Sequence, residues 1–420
     1  MTGMSAIALL GDRLERAFRD ANYDERAFPE LATRALSDGA PHREFSIADL
    51  VQWAHSAAQI PSQPESDFGE PAVMLYCGRR FYLEALFWLD GTPTIHQHGF
   101  SGAFQVLEGS SIHTRFRFSA ERSVNQSLVL GALELGRPEL LRKGDTRSIW
   151  AADRLIHSTF HLDRPSVTLV ARTYRDAAAA PQLRYLRSGV ALSSVHDDSR
   201  LRRLLELFEM VFRAKLPDRV QIVVEFLETS DLHSSILVLE RLCFAERSEL
   251  MALAEVVARR HVYAATWVRD TVDCVRRETL IVQRRSRVSA PAHRFLLALL
   301  LNVESRDEVL RLIGEAVRDR DPGDQLVEWI GEMCSAGADG TDDGGLDYAL
   351  GPVELRVLRE LLRGSTVDEI VAAFSVEYDD GAAQAPAVRA LCAALQKAAL
   401  FRSILRGPDL RAVADSRRTA

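Results

Sequence analysis

Three histidines in one stretch of the chain are spaced as ligands of a single metal ion. His96 and His98 are separated by one residue within a run that favours a β-strand. Because side chains of a strand alternate between its two faces, both imidazoles would point to the same side. His157 stands further along, just before the strand-like run PSVTLVARTY, and could supply a third ligand from another strand. Three neutral imidazoles leave coordination positions open for substrate and O₂, as a mononuclear Fe(II) centre or a centre of another divalent metal requires.

Protons compete with a metal ion for the ring nitrogens of histidine. The ordinary pKa of histidine is about 6.5, so we expect the metal affinity to fall as the pH drops through that region. We also expect the replacement of any one of the three histidines by alanine to remove most of the metal and the activity.

Polar residues that follow the third histidine are candidates for the surroundings of such a centre. His161 could form a hydrogen bond beside the ligands. Thr168, Arg172 and Tyr174 alternate on one face of the next predicted strand. A buried arginine must be paired, and inside a barrel its partner would be a substrate carboxylate or an acidic side chain such as Glu84.

His113 follows a different pattern. It shares one face of a predicted strand with Arg115 and Arg117. A strand face that carries two arginines is typical of a surface exposed to water. We therefore expect a replacement of His113 to have little effect.

The elements that would position these residues change along the chain from helical to strand-like. Residues 1–70 carry apolar residues at helical spacing, and Ser46 begins a capping-box pattern before a further helix. Between residues 71 and 180, short runs rich in Val, Phe, Tyr and Leu are separated by Gly, Pro or Asp. That pattern is typical of a β-sandwich or barrel, on which we expect the N-terminal helices to pack.

The remainder of the chain has helical periodicity. It predicts an all-α domain over residues 183–335 and a helical subdomain over residues 346–420, where Gly364 is placed to end one helix. Ser305 and Ser365 stand at the starts of further capped helices. The Gly- and Asp-rich segment 336–345 predicts a surface linker that proteases would cut first. The predicted class is thus α+β multidomain.

Composition limits the classes of function. With 420 residues, 47% of them hydrophobic and 26% charged, the chain is typical of a globular protein of several domains. The formal net charge of -7 makes nucleic acid an improbable partner. No uncharged apolar run could span a membrane, and the first residues lack the basic segment of a signal peptide. Five scattered cysteines without a CxxC pair favour a cytoplasmic location.

The residues around the first two histidines resemble the first motif of the cupin superfamily. That motif runs from a glycine through HxH to a glutamate and then a glycine. Its counterparts here are Gly91, His96, His98 and Gly109. The glutamate position falls on Gly102 or Ala103, so the carboxylate ligand is missing. The resemblance implies a cupin barrel, also called a double-stranded β-helix, with a metal bound by histidines alone.

The second cupin motif is matched more loosely. Gly144 opens it, His157 supplies its ligand, and His161 occupies the position of an asparagine. Within the three-histidine cupins, the stretch ALFWLDGTPTIHQHGFSGAFQVLEG is similar to the cysteine-dioxygenase type of thiol dioxygenase. This resemblance covers about residues 40–180 and does not include the helical half. It implies Fe(II) as cofactor and a small-molecule or peptide thiol and O₂ as substrates.

Several residues depart from that family. Ala103 occupies the position of a cysteine that some members crosslink to a tyrosine. The family's hydrogen-bonded series of Ser, His and Tyr corresponds to Thr168, Val170 and Arg172, of which only Thr168 is chemically similar. The resemblance therefore implies the metal but not cysteine as the substrate. We take Thr168, Arg172 and Tyr174 as the candidate catalytic residues.

Three functions fit these patterns. We favour an oxidoreductase, a mononuclear non-haem iron oxygenase that oxidises a small thiol or another anionic substrate with O₂. A non-catalytic cupin could instead sense a ligand or metal and signal through its helical half, which could also bind a partner protein or a second copy. A metal-dependent isomerase or lyase would use the same centre as a Lewis acid. O₂ consumption upon addition of candidate thiols distinguishes the first function from the other two.

Overall fold

The structure is a computed structural model that describes most of the chain in nine segments. These are residues 3–56, 60–63, 68–89, 94–174, 182–193, 198–335, 350–377, 381–398 and 400–405. Gly91 and the predicted linker 336–345 lie outside the described residues. The chain divides into two compact units, Met1–Val275 and Arg276–Ala420.

Three helices precede the strands. They are α1 (Gly3–Asp20), α2 (Phe28–Gly39) and α3 (Ile47–Ser56), with a short 3₁₀ turn over Pro41–Arg43. Helix α2 has a proline in its first turn, where a missing N–H costs nothing. Before α3, the backbone N–H of Asp49 donates a hydrogen bond to Ser46 Oγ at 3.4 Å, which confirms the predicted cap.

Twelve β-strands follow among the described residues. They are β1 (Ala72–Cys77), β2 (Phe81–Trp88), β3 (Ile95–His98), β4 (Gly102–Glu108), β5 (Ser111–Asn125), β6 (Leu128–Leu135), β7 (Glu139–Leu141), β8 (Thr146–Ile149), β9 (Ala152–His161), β10 (Ser166–Thr173), β11 (Leu183–Leu186) and β12 (Val190–Ser193).

These strands form two antiparallel sheets. Sheet I has the order β1-β2-β10-β4-β8, and sheet II has the order β6-β12-β11-β3-β9-β5-β7. The chain passes from one sheet to the other at each step from β2 to β5 and at each step from β7 to β11. Antiparallel strands that alternate between two facing sheets form the double-sheet arrangement found in cupins, so the predicted fold class is confirmed.

Strand β2 explains why sheet I is apolar on both faces. Its odd-numbered residues pack against the N-terminal helices, and its even-numbered residues face the barrel interior. The first set includes Leu83, Ala85 and Phe87, and the second includes Glu84, Leu86 and Trp88. The sequence of a strand that is covered on both faces is a continuous apolar run rather than an alternating pattern. On the helical side, Phe18 and Phe28 contact the Phe81 ring.

Strands β11 and β12 lie inside the range for which the sequence predicts only helices. They form a hairpin in which Leu186 pairs with Val190, and Gly189 in the turn has a φ of +85°. Glycine adopts that left-handed conformation at little cost, so the chain reverses there instead of entering a helix. The strands therefore continue past residue 180, and the helices begin only at Ser199.

Helices account for the rest of the described residues. They are α4 (Ser199–Arg213), α5 (Arg219–Leu227), α6 (Leu232–Arg241), α7 (Arg247–Arg260), α8 (Ala265–Arg287), α9 (Pro291–Asn302), α10 (Arg306–Ala316), α11 (Pro322–Ser335), α12 (Pro352–Arg363), α13 (Val367–Glu377), α14 (Gly381–Lys397) and α15 (Arg402–Leu405). Within the described ranges, every helix is too short or too polar to cross a membrane.

Helices α4 to α7 share a hydrophobic core with sheet II. Leu130 of β6 and Leu192 of β12 are buried in the same cluster as residues of these helices. Arg184 of β11 donates two hydrogen bonds to Glu240 of α6, at 2.6 and 2.7 Å. The predicted domain boundary at residues 180–183 therefore differs from the boundary of the compact unit at Val275.

Capping signals mark the helices of the second unit as predicted in two of three places. Helix α12 ends at Gly364, whose φ is 87°. Helix α13 is capped as predicted, but by Thr366 rather than Ser365. The N–H of Thr366 donates to Glu369 Oε2 and the N–H of Glu369 donates to Thr366 Oγ1, which is a reciprocal capping box, whereas Ser365 Oγ donates to Glu360. Ser305 precedes α10, but its side chain makes no capping hydrogen bond.

Candidate metal centre

The three predicted metal ligands come together inside the barrel. His96 and His98 lie on β3 and His157 lies on the adjacent strand β9, where it is the cross-strand partner of His96. All three side chains are buried, and one ring nitrogen from each lies within 4.8 Å of those of the others. The structure thus places these three residues as the HxH spacing predicts.

The ring nitrogens are arranged to bind a cation. His96 Nδ1 lies 2.7 Å from the carbonyl oxygen of Thr94, so it donates there and leaves the lone pair of Nε2 without a hydrogen-bond partner. His98 Nε2 lies 2.8 Å from His157 Nε2. Two nitrogens bound at about 2.1 Å to one ion and at a right angle would lie about 3.0 Å apart. The nitrogen positions therefore fit a divalent metal ion.

Burial keeps these histidines in the form that binds metals. It lowers the pKa of His96, and it lowers the pKa values of His98 and His157 well below the ordinary value of 6.5. For His98, the nearby His96 and Arg172 act in the same direction. The three imidazoles are neutral at neutral pH, and neutral imidazole is the ligand form.

The position of the cupin glutamate cannot supply a fourth ligand. A side chain at Gly102 would bring its Cβ to 2.1 Å from the carbonyl oxygen of Ala171 on β10. The side chain of Ala103 is buried on the other face of β4, in the core shared with the N-terminal helices. Among the described residues, the metal-binding cluster consists of histidines alone.

A chain of hydrogen-bonded side chains continues from His157, and sequence reasoning missed it. His113 on β5 places its Nε2 3.0 Å from His157 Nδ1 and its Nδ1 2.6 Å from Glu139 Oε1 on β7. Arg147 on β8 donates two hydrogen bonds to Glu139, at 3.0 and 2.6 Å.

The expectation that His113 lies on a solvent-exposed face is wrong, because its side chain is 1% exposed. The first four residues of β5 are buried, and the strand becomes exposed only from Arg115 onwards. The regular alternation of His113 with two arginines conceals this change. Ser111, two residues earlier on the same face, is buried as well, and its polar side chain gives no indication of this in the sequence.

The histidines line a cavity with largely apolar walls. Its empty volume is about 470 Å³, including solvent space at its opening. The other lining residues are Phe68, Glu84, Leu86, Trp88, Phe100, Phe104, Ile149, Thr159, His161, Thr168, Val170 and Arg172. Such a cavity has the mixture of apolar walls and few polar groups that is usual for small-molecule sites.

One ion pair lies in the cavity wall. Arg172 Nη1 donates to Glu84 Oε1 at 3.3 Å, and the guanidinium carbon lies 3.4 Å from the centre of the Phe100 ring. Arg172 Nε is buried without a hydrogen-bond partner. Burial raises the pKa of Glu84, although the charge of Arg172 opposes this effect. The sequence left two partners open for Arg172, a substrate carboxylate or an acidic side chain. In the structure its partner is the acidic side chain of Glu84.

Thr168 and His161 also face the cavity. Trp88 Nε1 donates to Thr168 Oγ1 at 3.4 Å, and the His161 ring stacks on Trp88 with centroids 4.6 Å apart. His161 Nδ1 lies 3.0 Å from Ser111 Oγ. These contacts place both residues in the polar part of the cavity wall.

Tyr174 does not line the cavity. Its side chain is 49% exposed, and its hydroxyl donates to the carbonyl oxygen of Gly78 at 3.3 Å. Strand β10 ends at Thr173, so the alternation that places Thr168 and Arg172 inward stops one residue before Tyr174.

Comparisons with known proteins found similarity in structure only. No family model matches the chain, and no curated protein sequence matches it. The DMSP lyase DddQ from Ruegeria pomeroyi DSS-3 is 16% identical over 32% of this chain and 64% of its own, with a TM-score of 0.20. A structure of the DMSP lyases RdDddP and RnDddQII is 19% identical over 42% of this chain and 95% of its own, with a TM-score of 0.22. The 11S globulin from Wrightia tinctoria is 11% identical over 40% of each chain, with a TM-score of 0.21.

Topology and histidine cluster together define the class of this molecule. The first unit contains a cupin-like barrel. Its interior holds a three-histidine site suited to a divalent metal ion.

Proposed function

We propose that this protein is a mononuclear non-haem iron oxygenase that oxidises a small thiol or another anionic substrate with O₂. The observation that carries the proposal is a set of three buried, neutral imidazoles, to which the described residues add no carboxylate ligand. Such a set compensates none of the charge of a divalent ion, which favours an anionic donor such as a thiolate as a further ligand.

Fe(II) held by His96, His98 and His157 would supply open positions for thiolate and O₂ and the redox chemistry that O₂ activation needs. The overall reaction is RSH + O₂ → RSO₂H. Both oxygen atoms are transferred to sulfur, which loses the four electrons that O₂ gains, so no further reductant is required.

Arg172 is suited to bind the charged group of the substrate. A guanidinium has five N–H donors, and the structure gives Arg172 one hydrogen bond, to Glu84. Its remaining donors can bind a carboxylate while Glu84 and the Phe100 ring hold the guanidinium in place. Its charge also contributes to the lowered pKa of His98, so it acts within reach of the histidine cluster.

The rest of the cavity wall would orient the substrate and exclude water. Phe100, Phe104 and Trp88 supply aromatic surface beside the histidines. Within such a dry site, the attraction between Arg172 and a substrate anion is stronger than in water. Thr168 offers a hydroxyl on the same wall, where it already accepts a hydrogen bond from Trp88.

The proposal is tested by loading the purified protein with Fe(II) under argon and adding thiols that carry a carboxylate, an ammonium group or no charge. We expect O₂ uptake to rise only with a thiol present, and isotope-labelled O₂ to place two labelled oxygens in the product. The His98→Ala variant should lose this uptake. His55→Ala, which removes an exposed histidine of α3, should retain it.

Two results would contradict the proposal. Conversion of a substrate under argon would indicate a lyase or isomerase instead. Iron-loaded protein that consumes no O₂ with any of the thiols would equally exclude thiol oxidation.

A further inference from the structure

We propose that His113 and Glu139 are positioning residues that hold His157 in one tautomer, with a proton on Nδ1 and the lone pair of Nε2 directed into the metal site. This inference rests on the metal site of the proposed function but not on the oxygenase reaction. It concerns the chain Arg147–Glu139–His113–His157, which we call the relay.

The direction of each hydrogen bond in the relay is fixed by Arg147, the residue at the outer end of the relay. Arg147 can only donate, and its two hydrogen bonds to Glu139 keep that carboxylate ionised. Burial alone would raise the pKa of Glu139, but hydrogen bonds from His113 and Arg147 lower it well below its ordinary value. An ionised carboxylate only accepts, so the proton between Glu139 and His113 must be on His113 Nδ1.

The same elimination continues to the metal ligand. A charged ring is costly to bury, so His113, whose side chain is 1% exposed, carries the single proton that it donates from Nδ1 to Glu139, and its Nε2 can only accept. His113 Nε2 lies 3.0 Å from His157 Nδ1, which must therefore carry the proton. A neutral His157 then has its lone pair on Nε2, the nitrogen that lies 2.8 Å from His98 Nε2.

Strand pairing builds the relay. His113 on β5 is the cross-strand partner of Glu139 on β7, and β5 also pairs with β9, which carries His157. Arg147 stands on β8 of the opposite sheet. The side chain of Glu139 is 36% exposed and that of Arg147 is 28% exposed. The relay thus connects a buried ligand to a charged pair at the barrel surface, where the charges remain solvated.

The relay acts on one of the three ligands. His96 has its own acceptor, the carbonyl oxygen of Thr94. His98 Nδ1 is buried without a hydrogen-bond partner. A change in the relay should therefore alter the metal affinity through His157, whereas the other two ligands keep their orientations.

A relay with only a structural role would behave differently. Removing one partner of a buried hydrogen bond leaves the other group unpaired and lowers the stability of the fold. A structural role would thus change the unfolding midpoint and leave the metal affinity unaltered. A positioning role predicts the opposite, because partners that orient a metal-bound histidine change the affinity or activity by about 10- to 100-fold.

The test uses Zn(II), which has no redox chemistry, and the full-length protein. Competition with a chromophoric chelator should give a dissociation constant about 10- to 100-fold higher for His113→Leu than for the wild type. His113→Gln should restore most of the affinity, because its amide oxygen can accept from His157 Nδ1–H. Glu139→Gln should weaken binding, whereas the matched control Glu134→Gln, at an exposed carboxylate of β6, should not.

A second measurement does not depend on the folding of any variant. NMR of isotope-labelled histidine in the wild type, with and without Zn(II), should show His157 protonated at Nδ1. A proton on His157 Nε2 in the metal-free protein, or wild-type zinc affinity in a folded His113→Leu variant, would overturn the proposal. If O₂ uptake fails while both zinc results hold, the oxygenase proposal fails alone, and if the wild type binds no zinc, the metal site itself is refuted.

Discussion

Metal binding should persist at a pH at which ordinary histidines are protonated. Burial lowers the pKa values of His96, His98 and His157. A group with a lowered pKa stays neutral until the pH falls below that lower value, so protons compete with the metal only there. The structure thus moves the loss of affinity to a lower pH than the value of about 6.5 that the sequence predicts.

The size of this effect follows from proton occupancy. One pH unit below a pKa of about 6.5, an ordinary histidine is about one-tenth neutral, so three of them would lower the metal affinity about a thousandfold, or by about 4 kcal/mol. At pH about 6.5, binding to three ordinary histidines would release about 1.5 protons, because each is half protonated. Three histidines that burial keeps neutral would release almost none.

Calorimetry of Zn(II) binding measures this proton count directly. Titrations at pH about 6.5 in two buffers with different ionisation enthalpies should give a proton release close to zero. The His55→Ala variant, which lacks an exposed histidine, should give the same value as the wild type. A release of about 1.5 protons at pH about 6.5, together with a further loss of affinity of about 170-fold one pH unit lower in protein that circular dichroism shows to be folded, would refute the reasoning.

Three further substitutions test the cavity wall, and a fourth tests the close packing of β4 against β10. Arg172→Ala should leave the zinc affinity unchanged. In a binding titration it should lower the affinity for an anionic thiol about 10- to 100-fold, since a hydrogen bond to a charged group contributes about 1.5–3 kcal/mol. Glu84→Gln should raise the affinity for the same thiol, because it removes a negative charge that competes for Arg172. His161→Ala removes the stacking on Trp88 and should lower turnover by about 2- to 10-fold, with zinc affinity retained in the chelator assay. Gly102→Ala should lower the free energy of unfolding by about 1–3 kcal/mol or more in denaturant, because its Cβ would clash with a backbone oxygen.

The metal ligands and the fold class could be predicted because both depend on local patterns. His96 and His98 satisfy the period of two within one strand, and short strands with Gly and Pro turns indicate a barrel. The missing carboxylate ligand is also visible in the sequence, as Gly102 or Ala103. The structure adds the reason, since one position has no space for a side chain and the other points into a different core.

The relay could not be predicted because it depends on the register of strands that are distant in sequence. His113, Glu139 and Arg147 stand on three strands, and only the pairing of β5 with β7 and β9 brings them to His157. The β11–β12 hairpin escaped for a different reason. Its strands have four residues each, too few to establish a period, and the decisive left-handed turn rests on Gly189 alone.

The short strand β3 connects the candidate metal site to the part of sheet II that packs on the helices. It carries two of the three candidate ligands, and among the described strands it pairs with β9 on one side and β11 on the other. An ion bound by His96, His98 and His157 would crosslink β3 to β9 and raise the free energy of local opening there. On the other side, Arg184 is the cross-strand partner of His96 and holds Glu240 of α6 by two hydrogen bonds. Only β11 separates β3 from α6, so we expect a bound ion to raise the free energy of local opening on this side of β3 as well.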